Sequence, residues 1–402
     1  MDIASVKDKI FYVGANDAER KIFDQLIPLP DGTTYNSYLI KARDKTVLID
    51  SVDPSKRNVL FENLKKLNLS SIDYIVSHHG EQDHSGCIPF VLSQYPGAKV
   101  LTNEKCMAEL MDLHHIGEDR FFTVEDGQEI SLGDRTLKII FTPWVHWPET
   151  FVTLLKEDRI LFTCDFFGSH LAFDAKKRLF HEDKNIIFKP AKRYFAEIMS
   201  PFRNIIRKNL EKLAEYKKDF DIIAPSHGPL YKGREITGFI MDCYRDWASE
   251  DVKNEVMLVY ISMHGSTEKI AEYFSEALGK RGIPAKTFDL GTADTGEIAM
   301  ELLDAATAVI ATPTVLAGPH PSAVFAAYLV KALRPKTRFL SVIGSYGWGG
   351  KTLDFLSGIL SGGNAEIIDP FLIKGYPRES DFALLDGLAE KIKNMHTREG
   401  LM

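Results

Sequence analysis

Directly after the apolar run Tyr74 to Val76 the chain reads SHHGEQDHSGC, which puts His79, Glu81, Asp83 and His84 within six residues. Strands present loop residues at their carboxyl ends, so a compact H-x-E-x-D-H loop in this place can turn four metal-capable groups towards one point. A fold that uses it must gather strand ends around that loop. Other strand-like runs stop at residues of the same kind: His146 in TPWVHWPE, Asp165 in LFTCDFFG and His227 in APSHGP. A solvated polar loop would account for the first four residues, but not for ligand types recurring at one strand end after another.

The donor set, four imidazoles and three carboxylates with no cysteine, argues for particular metals. If Asp165 bridges, each of two ions sees two imidazoles and two carboxylates. Such a hard, anionic nitrogen and oxygen environment suits iron or manganese, which change oxidation state, whereas zinc has no redox chemistry. Carboxylate bridging reads as a non-haem di-iron centre. His78 adjoins His79 but faces the other way if the strand pleat persists, which makes it a packing or supporting residue. His114 and His115 fall in a helix-to-loop segment and are expected at the surface. His170, five residues after Asp165, and Tyr194 in KRYFAEIMSPF are candidates to line the pocket above the metals in a catalytic role.

A chain of 402 residues exceeds what one core usually supports, so two or more domains are expected. A content of 45% hydrophobic and 26% charged residues excludes disorder, and a net charge of −7 gives no electrostatic reason to bind nucleic acid or an anionic membrane. Four cysteines without any CxxC suggest neither a disulfide framework nor a thiolate metal site. The start, MDIASVKDKIF, lacks a signal-peptide core, and no apolar stretch reaches membrane-spanning length. The expected location is the cytoplasm. Strand-like and helical runs alternate up to a charged segment ending DWASEDVKNE, which places the boundary near residue 250 and gives domains 1–250 and 251–402.

Beyond it the pattern becomes regular strand, loop and helix: EVMLVYIS, a helix from about Glu268 to Gly279, and strands at Pro284 to Asp289, Ala306 to Ala311, Arg338 to Gly344 and Ala365 to Phe371. Five strands with helices between predict a doubly wound flavodoxin-like sheet. The first strand is followed by Ser262, Met263, His264, Gly265, Ser266 and Thr267 and then a helix, an arrangement of hydroxyls, backbone N–H groups and helix N-terminus that favours a phosphate. Two later loops fall where a flavin ring would lie. One holds Pro313, Thr314, Leu316, Ala317 and Gly318; the other holds Ser345, Tyr346, Gly347, Trp348 and Gly349, with the tryptophan either stacking on the flavin or packing on its own domain. With no G-x-G-x-x-G pyrophosphate fingerprint, FMN is preferred over FAD or NAD.

Over roughly residues 30 to 230 the ligand order resembles the metallo-β-lactamase fold, an αββα sandwich with paired metals at one edge, whose zinc hydrolases commonly carry His where this chain has Glu81. With a flavodoxin-like domain following, the chain resembles the flavodiiron proteins (A-type flavoproteins). The signatures are GTTYN at Gly32 to Asn36, HHGEQDH, TPWVHWPE, CDFFG, PSHGP and SMHGST. The resemblance implies that His79, Glu81 and His146 bind one iron, that Asp83, His84 and His227 bind the other, and that Asp165 bridges them. It implies a terminal oxidoreductase in which FMN passes electrons to a di-iron pair that reduces O2 to water or NO to N2O. It also implies a head-to-tail homodimer, or a tetramer built from two. Without the paired CxxC motifs of rubredoxin, the electron donor would be separate: rubredoxin, reduced F420 or an NADH-linked reductase. The family often shows HWPD where this chain has HWPE, ending at Glu149. The alternatives are a zinc-dependent hydrolase of the β-lactamase fold and an FMN electron carrier without gas reduction.

Overall fold

The computed structural model describes residues 3–402. They form two compact units, one running up to Phe195 and from Phe202 to Ala248, the other comprising Ala196–Pro201 and Ser249–Met402.

In the first unit two sheets pack face to face. One has seven strands in the order Ser5–Lys7, Ile10–Tyr12, Tyr38–Lys41, Thr46–Ile49, Tyr74–Val76, Lys99–Thr102 and Phe121–Thr123, antiparallel at the start and parallel from Thr46–Ile49 onwards. The other has six, with Phe151–Leu155, Ile160–Cys164 and Ile222–Pro225 at its centre. These central strands are apolar without alternation, FVTLL and ILFTC, because both faces are buried. Ile40, Val47, Val76 and Leu101 of the first sheet meet Leu137, Phe151, Phe162 and Ala224 of the second in one core. Outside the first sheet, Leu60 and Leu64 lie one helical turn apart on Arg57–Lys66 and join Val91 and Leu110 of the neighbouring helices against Leu48, Ile75 and Val100. Helices Arg203–Ala214 and Arg234–Ala248, with Ile206, Leu210 and Ile240 on their buried faces, complete the expected αββα sandwich.

The second unit is a parallel sheet in the order Ala285–Asp289, Lys253–Tyr260, Ala305–Val315, Phe339–Tyr346 and a last position at the edge. This 2-1-3-4-5 order is that of a doubly wound flavodoxin-like domain. The last position corrects the expected strand Ala365 to Phe371. It consists of two short pieces, Glu366–Ile367 and Ile373–Lys374, both parallel to Phe339–Tyr346. Between them Asp369 adopts a positive φ of 34° and Pro370 has no N–H to give, so the ladder is interrupted. Among the described residues no helix is long and apolar enough to cross a membrane.

Candidate metal and flavin sites

Loops at the strand ends of the first unit bring the seven candidate ligands into two adjoining clusters. After Tyr74–Val76 the chain passes His79 to Glu81, which caps the single helical turn Gln82–Ser85 carrying Asp83 and His84. Asp165 follows Ile160–Cys164, His227 follows Ile222–Pro225, and His146 lies in the loop between Thr136–Phe141 and Phe151–Leu155. In the first cluster Glu81 Oε2 lies 2.9 Å from His79 Nε2 and 3.3 Å from His146 Nε2, and Asp165 Oδ2 lies 3.4 and 3.6 Å from the same two nitrogens. In the second, Asp83 Oδ2 lies 3.3 Å from His84 Nε2 and 3.1 Å from His227 Nε2, while Asp165 Oδ1 lies 3.0 and 3.5 Å from them. Asp165 therefore turns one oxygen to each cluster.

These distances fit metal ions. Two donors held at about 2.1 Å from one ion lie about 3.0 Å apart at a right angle and about 3.4 Å apart at the tetrahedral angle. Both oxygens of Asp83 and Asp165 and both nitrogens of His84 are buried without a hydrogen-bond partner, a heavy cost unless something positively charged lies between them. Burial opposes ionisation of Asp165, but the charge of His84, with His79 and His227 beyond, holds its carboxyl well below the usual range. Glu81 is lowered in the same way, burial being outweighed by hydrogen bonds to His146 and His79.

Backbone and side-chain acceptors fix the imidazole tautomers. His79 Nδ1 donates to Glu149 Oε1 at 2.8 Å, and His227 Nδ1 donates to the carbonyl of Thr34 at 2.6 Å, so each Nε2 faces its cluster with a lone pair. His78 points the other way, with Nδ1 2.7 Å from Asp50 Oδ2 and Nε2 2.8 Å from Thr153 Oγ1. His170 and Tyr194 do border the second cluster: the His170 ring lies 5.1 Å from that of His227 and 4.9 Å from that of Tyr194. Burial first, then the charge of His227, keeps His170 neutral; burial and the charge of Asp165 push the Tyr194 hydroxyl far up, so it keeps its proton.

His115 is exposed as expected, but His114 is not a plain surface residue. Its Nε2 lies 2.7 Å from Ser85 Oγ, because the helix Glu104–His114 ends against the ligand loop. The supporting roles of Asp50, Thr34 and Glu149 were not read from the sequence. Asp50 carries a signal, an acid at a strand end in TVLID, and Thr34 and Glu149 fall within the GTTYN and TPWVHWPE signatures, which mark the positions but not what they support.

In the second unit the helix Ser266–Gly279 starts from Gly265 in the left-handed conformation, φ 82°. Gly265 N–H donates to Ser262 Oγ at 3.1 Å, and Thr267 Oγ1 meets Ser345 Oγ at 3.0 Å, tying the first loop to the third. Around them lies a cavity of about 190 Å3, lined by Ser262, Met263, His264, Ser266, Thr267, Pro313, Thr314, Ser345, Tyr346, Gly347 and also Gly375, a residue the sequence reading had passed over. At Gly344 an added Cβ would fall 1.8 Å from Thr312 O, so the two central strands approach there as only glycine allows. Hydroxyls, N–H groups and a helix N-terminus around a small cavity fit the phosphate of a flavin mononucleotide. Leu316, Ala317, Gly318, Trp348 and Gly349 lie outside the cavity lining, in the loops that flank it. Leu316 is 95% and Trp348 82% exposed, so the tryptophan does not pack on its own domain.

Comparison with known proteins agrees with both halves. Residues 33–228 match the model of the ODP family beta lactamase and residues 258–384 that of flavodoxin. A nitric oxide reductase of Moorella thermoacetica is 32% identical over 394 residues, covering 96% of this chain and 97% of that protein. The fold superposes on rubredoxin oxygen:oxidoreductase from Desulfovibrio gigas with a TM-score of 0.93 at 26% identity, covering all of both chains. It superposes on the flavodiiron protein from Giardia intestinalis with a TM-score of 0.89, covering 98% of this chain and 96% of that one at 24% identity, a likeness of fold. With the two matched domains in this order and these relatives along nearly its whole length, the chain belongs to the flavodiiron protein family, whose cofactors are FMN and a non-haem di-iron centre.

Proposed function

We propose that this protein is a terminal reductase that takes electrons through FMN to a di-iron centre and reduces O2 to water, NO to N2O, or both. The observation that carries the reading is Asp165, one oxygen facing each of two clusters built from His79, Glu81 and His146 and from Asp83, His84 and His227. Loaded with iron held by these residues and with FMN, the protein would have four electrons to give, enough for O2 with four protons to become two waters, while two NO with two electrons and two protons would become N2O and water.

The chain's own residues do the rest. Asp165 fixes the spacing of the two clusters, and Glu149 and the Thr34 carbonyl orient His79 and His227. Thr33 Oγ1 lies 2.9 Å from His170 Nδ1, and when the hydroxyl donates there, His170 Nε2 carries the proton and has no protein partner. His170 N–H and Tyr194 O–H then act as neutral donors that orient gas-derived oxygen without bringing charge into the pocket. Phe23, its ring 5.0 Å from that of His170, excludes water from this side. Ser262, Ser266 and Thr267 would hold the phosphate of FMN, and the exposed Trp348 would offer its face to the ring. The relative from Desulfovibrio gigas is named for rubredoxin, which favours a small separate protein as donor, with reduced F420 or an NADH-linked reductase as alternatives. A head-to-tail homodimer, or a tetramer of two, would place the flavin of one subunit beside the metals of the next.

Protein from iron-replete cells should hold about two irons and one FMN per chain; stoichiometric zinc without iron would favour a hydrolase instead. His84→Ala should keep FMN and its reduction by the donor yet slow gas consumption, because the lesion lies beyond the flavin. Unchanged gas consumption in a variant shown to have lost iron would reject the assignment.

A further inference from the structure

Ahead of the GTTYN segment the strands Ile22–Phe23 and Ile27–Pro28 form a hairpin that pairs with no other strand among the described residues. A lone hairpin is marginally stable, so its side chains must fasten it. Its turn adds a cost, since Asp24 and Gln25 both stand in the left-handed region, at φ 49° and 55°, without being glycine. Phe23 is its inward side chain: the ring lies 5.0 Å from that of His170 and 6.0 Å from that of His227, while Ile22 and Leu26 are exposed. Arg20, just before the hairpin, reaches four groups at once. Its Nε donates to the Ile22 carbonyl at 3.2 Å and its Nη1 to Asp53 Oδ2 at 3.3 Å, and its Cζ lies 5.7 Å from the centre of the Phe23 ring and 5.9 Å from that of Tyr35. Asp53 is itself fixed, accepting the Ser55 N–H at 2.8 Å as the cap of the turn Pro54–Lys56. The Tyr35 ring lies 5.7 Å from that of His227, so both rings beneath the guanidinium border the second cluster.

Resting on the metal reading above, we propose that Arg20 is a positioning residue that latches this hairpin down, so that Phe23 is a gate between solvent and the second cluster. A guanidinium suits the task, because it offers Nε to a carbonyl and Nη1 to a carboxylate in one plane while its face covers rings, whereas an ammonium is a point charge with no face. The latch joins the hairpin to parts of the fold that stay with the first sheet and its helices. Asp53 follows the strand Thr46–Ile49, and Tyr35 ends the strand Thr33–Tyr35, buried in one core with Leu48 and Val52. Lifting the hairpin therefore breaks either the contacts of Arg20 with Asp53 and Tyr35 or those with Ile22 and Phe23. A guanidinium stays charged at any working pH, so the latch does not depend on titration.

The test uses azide as a probe of the oxidised, iron-loaded, FMN-replete protein, its binding followed by absorbance, with amide hydrogen exchange as a second measurement that needs no iron. Arg20→Gln should speed azide binding and release alike, by about 10-fold for the loss of ring and ion-pair contacts at a part-exposed site, and leave the azide Kd and the iron content as in wild type. Arg20→Lys keeps the ion pair but not the fork or the face, and should fall between the two. The Leu26 N–H, bonded to the Phe23 carbonyl, and the Leu29 N–H, bonded to the Lys21 carbonyl, should exchange faster in Arg20→Gln, while Ile75 and Leu161 in the central strands exchange as in wild type. Damage to the metal site would instead weaken azide binding at equilibrium; that result, or wild-type azide rates in Arg20→Gln, overturns the inference. A protein that takes up no iron overturns the metal reading and the gate with it, whereas unchanged exchange at Leu26 and Leu29 overturns the latch alone.

Discussion

Asp165→Ala should cost the protein both metals together rather than one. Its two oxygens lie 3.0 to 3.6 Å from all four imidazole Nε2 atoms, so its loss leaves each cluster with three donors and removes the group that sets their spacing. Loss of an outer partner typically weakens a metal site by about 10- to 100-fold, and removal of a shared direct donor should exceed that at both sites. The core between the sheets is untouched, so circular dichroism and FMN content should stay as in wild type. Elemental analysis of a folded variant that still holds two irons would show that Asp165 is not a shared ligand.

Gly344→Ala should have the largest effect on the second unit. Its Cβ would fall 1.8 Å from Thr312 O and 2.8 Å from Thr312 C, and both are backbone atoms that cannot swing away. Thr312 and Gly344 are register partners at the cofactor end of the two central strands, so relief requires the strands to part where Thr314 and Ser345 line the cavity. Overpacking of this kind costs about 1–3 kcal/mol, or about 2–4 °C per kcal/mol for a unit of this size. FMN should be lost on gel filtration and the melting temperature should fall by several degrees. Gly347→Ala, in the same loop, is the control, because its Cβ meets nothing within 4 Å and should leave stability near wild type. Equal melting temperatures for the two variants would contradict this account of the strand approach.

The candidate site was legible because each ligand sits in a short loop directly after a strand, where residue type and local position suffice. His79, Glu81, Asp83 and His84 announce themselves in six residues, and the later strand ends add the other three. The supports were less legible because they act across the fold. Thr34 reaches His227 through its carbonyl, and Asn103 reaches the Glu149 carbonyl from the start of a helix whose direction only packing decides. His114 looked like a surface residue in sequence, and became a partner of Ser85 because its helix ends over the ligand loop. The doubly wound sheet of the second unit followed from strand and helix alternation and the αββα layers of the first from the resemblance, whereas the last strand was broken by Asp369 and Pro370, where the apolar run had suggested continuity.

Gas reduction through the flavin is the central claim. It is tested most directly by reducing the iron-loaded, FMN-replete protein anaerobically and mixing it with O2 or NO while flavin absorbance and dissolved gas are followed together. The account predicts that flavin reoxidation keeps pace with gas loss, far faster than with free FMN at the same concentration, and that water or N2O accumulates. Consumption of neither gas faster than free FMN achieves would contradict it.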